Sequence, residues 1–207
     1  MSNEDKLVLS LCDYTGVAVL PWRDAGYRCV CVDTQHPCGV TYSDGIEYVG
    51  KNILDYSPPD GGYAFVFAFP PCTHLAASGA RWFGDKGLWA LYEAIGLVAR
   101  CRDIAEASKA PYLIENPVST LSTYWRKPDH TFDPCEYGGY LDPPGDKYTK
   151  KTCLWTGGGF RMPTSMPVSP TEGSKMHLMS PGPERANLRS ATPRGFARAV
   201  FLANSLP

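Results

Sequence analysis

Four short apolar runs constrain this chain most: LVLSL (7–11), CVCVD (29–33), AFVFAF (64–69) and YLIE (112–115). Each is too short for a helix and too uniformly apolar for a half-exposed strand, so each reads as a strand buried on both faces. Helical signals separate them. VAVLPWRDAG (17–26) has Pro21 near its first turn and Gly26 at its end. Residues 87–108 carry Leu88, Leu91, Ile95, Val98, Cys101 and Ala105 at intervals of three or four, a one-sided stripe. NILDY (52–56) reads as a further strand-like segment. Strands alternating with helices predict an α/β fold, a mainly parallel sheet with helices on both faces.

In such a sheet, ligands gather beyond the carboxyl ends of the strands. The residues at those ends are therefore the ones to read. They are D-Y-T-G (13–16), Asp33, Asp55, Pro70-Pro71-Cys72 and Glu115-Asn116-Pro117.

From residue 126 the texture changes. Eleven of the 19 prolines lie in 126–207 and the periodicity fades. TCLW (152–155) is strand-like, 156–184 is rich in Pro, Gly and Ser, and ATPRGFARAVFLAN (191–204) is a helix with Phe196, Val200 and Ala203 on one side. Residues 1–125 carry nine Lys and Arg against fourteen Asp and Glu, while 126–207 carry eleven against seven. A basic final third can meet phosphates. The whole of 1–207 reads as one domain, with 126–187 a proline-rich, basic region facing substrate. No run is long enough to span a bilayer, and MSNEDKLVLSL has no secretory pattern, so a cytoplasmic protein without membrane contact is expected. Eight cysteines with no C-x-x-C pair read as free thiols. Cys29, Cys31, His36 and Cys38 match no standard zinc spacing, and no metal is expected.

Cys72 follows two prolines at the end of a buried strand, so it sits on a loop with little freedom, suited to holding a nucleophile. Glu115 ends an apolar strand. Partial desolvation there raises a carboxyl pKa and lets the acid hold a proton near neutrality. Asp33, at the end of the second strand, stands where an acid holds ribose hydroxyls. The single glycine of D-Y-T-G argues against a dinucleotide and leaves a smaller nucleoside-type cofactor.

These segments carry a resemblance. LVLSLCDYTGVAVLPWRDAGYRCVCVD is similar to the first two motifs of cytosine-C5 methyltransferases, FAFPPCTHLA resembles their Pro-Pro-Cys loop, and YLIENP their Glu-Asn-Val segment. The tail, with YTKKTCLW and RSATPRGFA, resembles small phage-associated members. The resemblance implies a Rossmann-like, S-adenosylmethionine-dependent methyltransferase fold. It makes Cys72 the nucleophile on C6 of cytosine, with Glu115 and Asn116 beside it and Glu115 protonating N3. Asp13, Thr15 and Gly16 would line the methionine end of S-adenosylmethionine, Asp33 its ribose and Asp55 its adenine, with Pro70, Ser190 and Thr192 closing the pocket.

The chain departs from the family pattern in three places. The first turn has one glycine, Pro117 replaces the valine, and Tyr148, Lys150 and Thr152 stand where Gln-x-Arg-x-Arg is expected. Lys150 or Lys151 would contact a base or phosphate as a point charge rather than a fork. About 30 residues separate Gly157 from the C-terminal motif, fewer than an independent target-recognition domain needs. DNA is the expected substrate, methylated either with little sequence selectivity or with help from a protein partner. The alternatives are a free cytidine nucleotide (dCMP or CMP), or a non-catalytic nucleic-acid-binding module that keeps only the fold. A nicotinamide enzyme is disfavoured by the missing G-x-G-x-x-G.

Overall fold

In the computed structural model, residues 2–174, 182 and 185–205 are described. Part of the Pro/Gly/Ser-rich stretch, residues 175–181, 183 and 184, lies outside them. The four apolar runs become β1 (Lys6–Leu11), the first part of β2 (Arg28–Ser43), β4 (Gly62–Ala68) and β5 (Tyr112–Pro117). Joined by β3 (Ile46–Gly50), β6 (His130–Phe132) and β7 (Thr152–Gly157), they form one sheet of order β3-β2-β1-β4-β5-β7-β6. β1 is parallel to both β2 and β4, and β4 is parallel to β5, whereas β7 runs antiparallel to β5 and β6. The chain winds outward from β1 through β2 and β3, then returns to place β4 on the other side of β1. The β1–β4 junction is therefore the topological switch point of a Rossmann-like α/β sheet.

Both faces of the sheet are covered. On one, α2 (Phe83–Ala107) buries Ala94, Val98, Cys101, Ile104 and Ala105 against Leu9, Val66, Ile114 and Trp155. On the other, α1 (Leu20–Asp24) contributes Trp22, and α5 (Arg194–Asn204), which follows α3 (Leu121–Tyr124) and α4 (Arg185–Ser190), contributes Phe196, Ala199 and Val200. There they meet Val8, Phe65, Phe67, Leu113 and Leu154. Alternate residues of β1, β4 and β5 thus serve opposite cores, which is why these runs read as uninterrupted apolar sequence.

Two expectations need correction. NILDY is not a strand: Ile53–Asp55 is a 3-10 turn capped by Asn52, whose Oδ1 accepts from the Leu54 amide at 3.0 Å. The third strand is β3, formed by folding β2 back on itself. β2 pairs with β3 in parallel from Cys29 opposite Ile46 to Asp33 opposite Gly50. Beyond the His36–Cys38 bend, Val40 stands opposite Val49 and Ser43 opposite Ile46, the numbers now running in opposite senses. Asp44 (φ 50°) and Gly45 (φ 73°) make the two-residue turn, the left-handed pair that a tight hairpin demands.

The second correction concerns Leu88. It is 83% exposed, and burial on α2 begins only at Ala94. Gly87 (φ 75°, ψ 179°) breaks the helix just before Leu88, so residues 83–86 form a separate turn.

Within residues 126–187, β6 and β7 complete the sheet and the rest of the described part runs as loops and short turns, apart from the start of α4. Asn204, buried on α5, clips one of these loops: its Oδ1 accepts from the Arg161 amide at 2.8 Å and its Nδ2 donates to the Arg161 carbonyl at 2.9 Å. Among the described residues no helix is long and apolar enough to cross a membrane.

Candidate active site

Where β4 ends, the Phe69 amide donates to the Leu11 carbonyl at 2.9 Å, carrying the pairing with β1 one residue further. Pro70 is buried and Pro71 exposed, and two fixed φ angles turn the chain out of the sheet. The Cys72 carbonyl accepts from the amides of Leu75 (2.9 Å) and Ala76 (2.8 Å), closing a tight turn, and Leu75 anchors it in the core. This loop is tied to the one that follows Glu115. Asn116 Nδ2 donates to the Pro70 carbonyl at 3.0 Å, the Ala77 amide to Val118, and the Thr120 amide to Leu75. Cys72 and Glu115, 43 positions apart, therefore leave adjacent parallel strands in one cross-braced unit.

Glu115 stands opposite Leu154 of β7. Its Oε1 is shut off from solvent and has no hydrogen-bond partner. Burial pushes its carboxyl above the usual range, and nearby Lys150 offsets part of that rise. The Cys72 thiol is also pushed up, first by burial and then by the Glu115 carboxylate, while Lys150 and Arg189 pull it down. The four groups share one electrostatic neighbourhood. Lys150 Nζ donates to the Arg189 carbonyl at 2.9 Å and its backbone amide to Asp133 Oδ1 at 2.7 Å, fixing the cation from two sides.

A narrow cleft of about 10 Å³, room for about one water molecule, is lined by Phe69, Glu115, Lys150, Thr152, Ser190 and Thr192, among others. Lys150, Ser190 and Thr192, which the sequence related to Glu115 only through the resemblance, share this cleft with it. Ser190 Oγ donates to the Asn187 carbonyl at 3.0 Å, at the exposed end of α4. Lys151 is exposed and does not line the cleft.

Among the described residues, six buried side-chain polar atoms have no hydrogen-bond partner, and four belong to the two braced loops and the strand end between them. They are His74 Nδ1, Glu115 Oε1, Asn116 Oδ1 and Thr120 Oγ1. Folded proteins pair nearly all such atoms, so a local group of orphans calls for partners from outside the chain, either water or a polar ligand. His74 and Thr120 did not stand out in the sequence. Proximity to Cys72 was the only signal for the first, and Thr120 had none.

The turn after β1 holds a second group. Asp13 is buried, with Oδ1 accepting from the Thr15 amide, the Thr15 hydroxyl and the Gly16 amide (3.1, 3.1 and 2.8 Å), and Oδ2 from Ser10 Oγ at 2.7 Å. Burial raises its pKa and these four bonds lower it. Its carboxylate is turned into the loop, so Asp13 shapes the turn. Gly16 (φ 65°) holds the left-handed conformation that favours glycine, and a Cβ there would lie 3.0 Å from Tyr48 Oη, close enough that the ring would have to shift by a few tenths of an ångström. The Asp13 amide donates to the Val32 carbonyl at 3.2 Å, setting the turn beside Asp33. Asp33 is half-buried and uses Oδ1 to accept from the Gln35 amide at 2.8 Å. Asp55 is exposed on its 3-10 turn rather than at a strand end. His36, 5.5 Å from the Tyr14 ring and 4.9 Å from the Tyr48 ring, closes over this turn with Nε2 3.2 Å from the Asp13 carbonyl.

The one-glycine turn after β1 and the acid at the end of the first part of β2 lie at the carboxyl ends of neighbouring parallel strands, where α/β sheets bind ligands. Among the described residues no group of three or more His, Cys, Asp or Glu is placed to hold a metal ion. Comparison with protein-family models finds no match, and neither does a search of curated proteins.

Proposed function

We propose that the chain is an S-adenosylmethionine-dependent cytosine-C5 methyltransferase acting on DNA. The observation that carries this reading is the bracing of the Cys72 loop to the Glu115 strand end, with four orphaned polar atoms between and around them. A pyrimidine edge offers a matching set of donors and acceptors. Its ring nitrogen N3 and exocyclic amine suit a buried carboxyl group whose pKa desolvation raises.

The Cys72 sulfur forms a bond to C6 of the cytosine ring, and Glu115 delivers its proton to N3 as electron density moves onto the ring. S-adenosylmethionine, when bound, supplies the methyl group that C5 takes up. Water then takes the C5 proton. The C5–H electron pair restores the C5–C6 double bond as the S–C6 bond breaks with its pair going to Cys72, and N3 returns its proton to Glu115. Asn116 is a positioning residue: it holds the Pro70 carbonyl and so fixes where Cys72 stands. Lys150 supplies fixed positive charge beside both groups, favouring the thiolate. Asp33 would bind ribose hydroxyls, and Asp13 would keep Thr15 and Gly16 in the shape that meets the cofactor.

The deciding experiment incubates the protein with methyl-labelled S-adenosylmethionine and, in parallel, duplex DNA, single-stranded DNA and dCMP. Label recovered as 5-methylcytosine in either DNA supports the reading. Label on dCMP alone moves the substrate to the free nucleotide. No transfer to any of the three, from protein shown to be folded, removes the enzymatic reading in favour of a binding module.

A further inference from the structure

The largest departure from the expected packing lies beside the nucleophile loop. Trp82 is 51% exposed, Leu88 83%, Trp89 78% and Tyr92 69%, all within eleven residues on the approach to α2 and its first turns. Scattered single apolar residues at a surface are ordinary, but three aromatic rings and a leucine in one short segment are not. Two cations are interleaved with them. The Arg81 guanidinium lies 4.9 Å from the centre of the Trp82 ring, and Lys86 Nζ lies 6.0 Å from that of Phe83. Lys86 also donates to the Thr73 carbonyl at 2.6 Å, which joins this segment to the residue next to Cys72. Trp89 and Tyr92 meet edge to face, with ring centres 5.7 Å apart. Asp85 and Glu93 lie in the same segment, so its net charge is near zero and its cations act locally.

We infer that this segment is a stacking platform for unpaired nucleic acid, on which bases flanking the target cytosine lie against Trp82, Trp89 and Tyr92 while Arg81 and Lys86 meet the phosphates. The inference rests on the proposed reading of Cys72 and Glu115 and narrows its substrate to a single strand or a locally opened duplex. Paired bases hide their π faces inside the stack, whereas an unpaired strand offers one face per nucleotide to an exposed ring. Such binding is tolerant of sequence, because every base offers a π face. The linkage through Lys86 and Thr73 places the platform next to the loop that must receive the base. At Gly87, the break between the two parts of the segment, an added Cβ would meet nothing within 4 Å.

The test measures fluorescence anisotropy of a short labelled oligodeoxycytidine, single-stranded or annealed to its complement, with Trp89→Ala, Tyr92→Ala, the double variant and Trp89→Phe. Leu202→Ala, an exposed position on α5, is the control, and thermal melts check folding. Single-strand affinity is expected to fall by roughly fivefold or more for each ring removed. Trp89→Phe should hold most of it and Leu202→Ala all of it. Arg81→Gln should flatten the dependence of binding on salt. Unchanged single-strand affinity in the double variant overturns the inference, and so does equal or tighter binding of the duplex. Sedimentation that shows a wild-type dimer and a monomeric double variant overturns it too, by making the patch a self-interface. The methyl-transfer assay is read separately. Oligonucleotide binding lost in the variants, with no wild-type methylation of any substrate, keeps the platform and removes the proposed reaction. Methylation of dCMP and oligonucleotide alike, undiminished in the double variant, keeps the reaction and removes the platform.

Discussion

Asn116 Nδ2 donates a 3.0 Å hydrogen bond to the carbonyl of Pro70, and through it the strand end that carries Glu115 holds the loop that carries Cys72. The bond is buried, so its loss is not made good by solvent. Asn116→Ala is expected to destabilise the fold by about 1–3 kcal/mol. It should also lower kcat more than it raises KM for the oligonucleotide, because it disturbs the position of Cys72 rather than substrate contact. A variant as stable and as active as wild type would remove the brace from the account.

Cys72→Ser should lower methyl transfer by at least about 10³-fold, since the hydroxyl is a far weaker nucleophile at neutral pH. S-adenosylmethionine affinity, measured by calorimetry, should stay within about twofold of wild type, because Cys72 is assigned to the base and not the cofactor. A cytosine carrying fluorine at C5 cannot lose a proton there and should remain bonded to Cys72, visible as a mass shift of the intact protein. Normal turnover by Cys72→Ser would sink the covalent mechanism.

The thiol's surroundings predict a pH series. Burial and Glu115 raise the Cys72 pKa while Lys150 lowers it, so the free protein holds a thiol near neutrality. Alkylation of Cys72 by iodoacetamide, followed by peptide mass mapping, should therefore accelerate as pH rises through the alkaline range. Glu115→Gln removes a negative charge and should shift that profile to lower pH, whereas Lys150→Met should shift it higher. Opposite shifts would show that the charges do not act on the sulfur as described.

Glu115 also links pH to stability. Its folded-state pKa is raised, so the folded protein binds this proton more tightly than the unfolded chain. Stability then falls as pH rises from the unfolded value through the folded one. Above that window the buried carboxylate is fully charged and its penalty is complete. Glu115→Gln should raise Tm at pH 7–8 by on the order of a few degrees, and the difference should vanish near pH 4. A variant that melts lower at neutral pH would mean that the pairing with Lys150 outweighs desolvation.

The two acids near the first turn should behave differently. Asp13→Ala strips the acceptor from Ser10, Thr15 and Gly16 and is expected to cost roughly 1–3 kcal/mol of stability. Asp33→Ala leaves that turn intact and should weaken S-adenosylmethionine binding with little change in Tm. Unchanged cofactor affinity in Asp33→Ala would end its assignment to the ribose.

The sequence determined the strands with least ambiguity where burial is two-sided. LVLSL, CVCVD, AFVFAF and YLIE could be located because both of their faces are covered, and proline or polar residues then mark where each leaves the sheet. The positions of Cys72, Glu115 and Asp33 near strand ends could be read for that reason, from chain-local signals. The third strand was not, because β3 exists only through its register with two halves of a bent β2, a pairing that no local period encodes. Leu88 fitted the helical stripe yet faces outward, since periodicity says which residues share a side and not how far along the helix the core extends. Only the tertiary structure brought Lys150, Ser190 and Thr192 into the cleft with Glu115, and only it left four polar atoms unpaired around one site. Those facts depend on where separate strands end in space. The chain's local chemistry fixes its strands, but their order in the sheet decides which ends become neighbours.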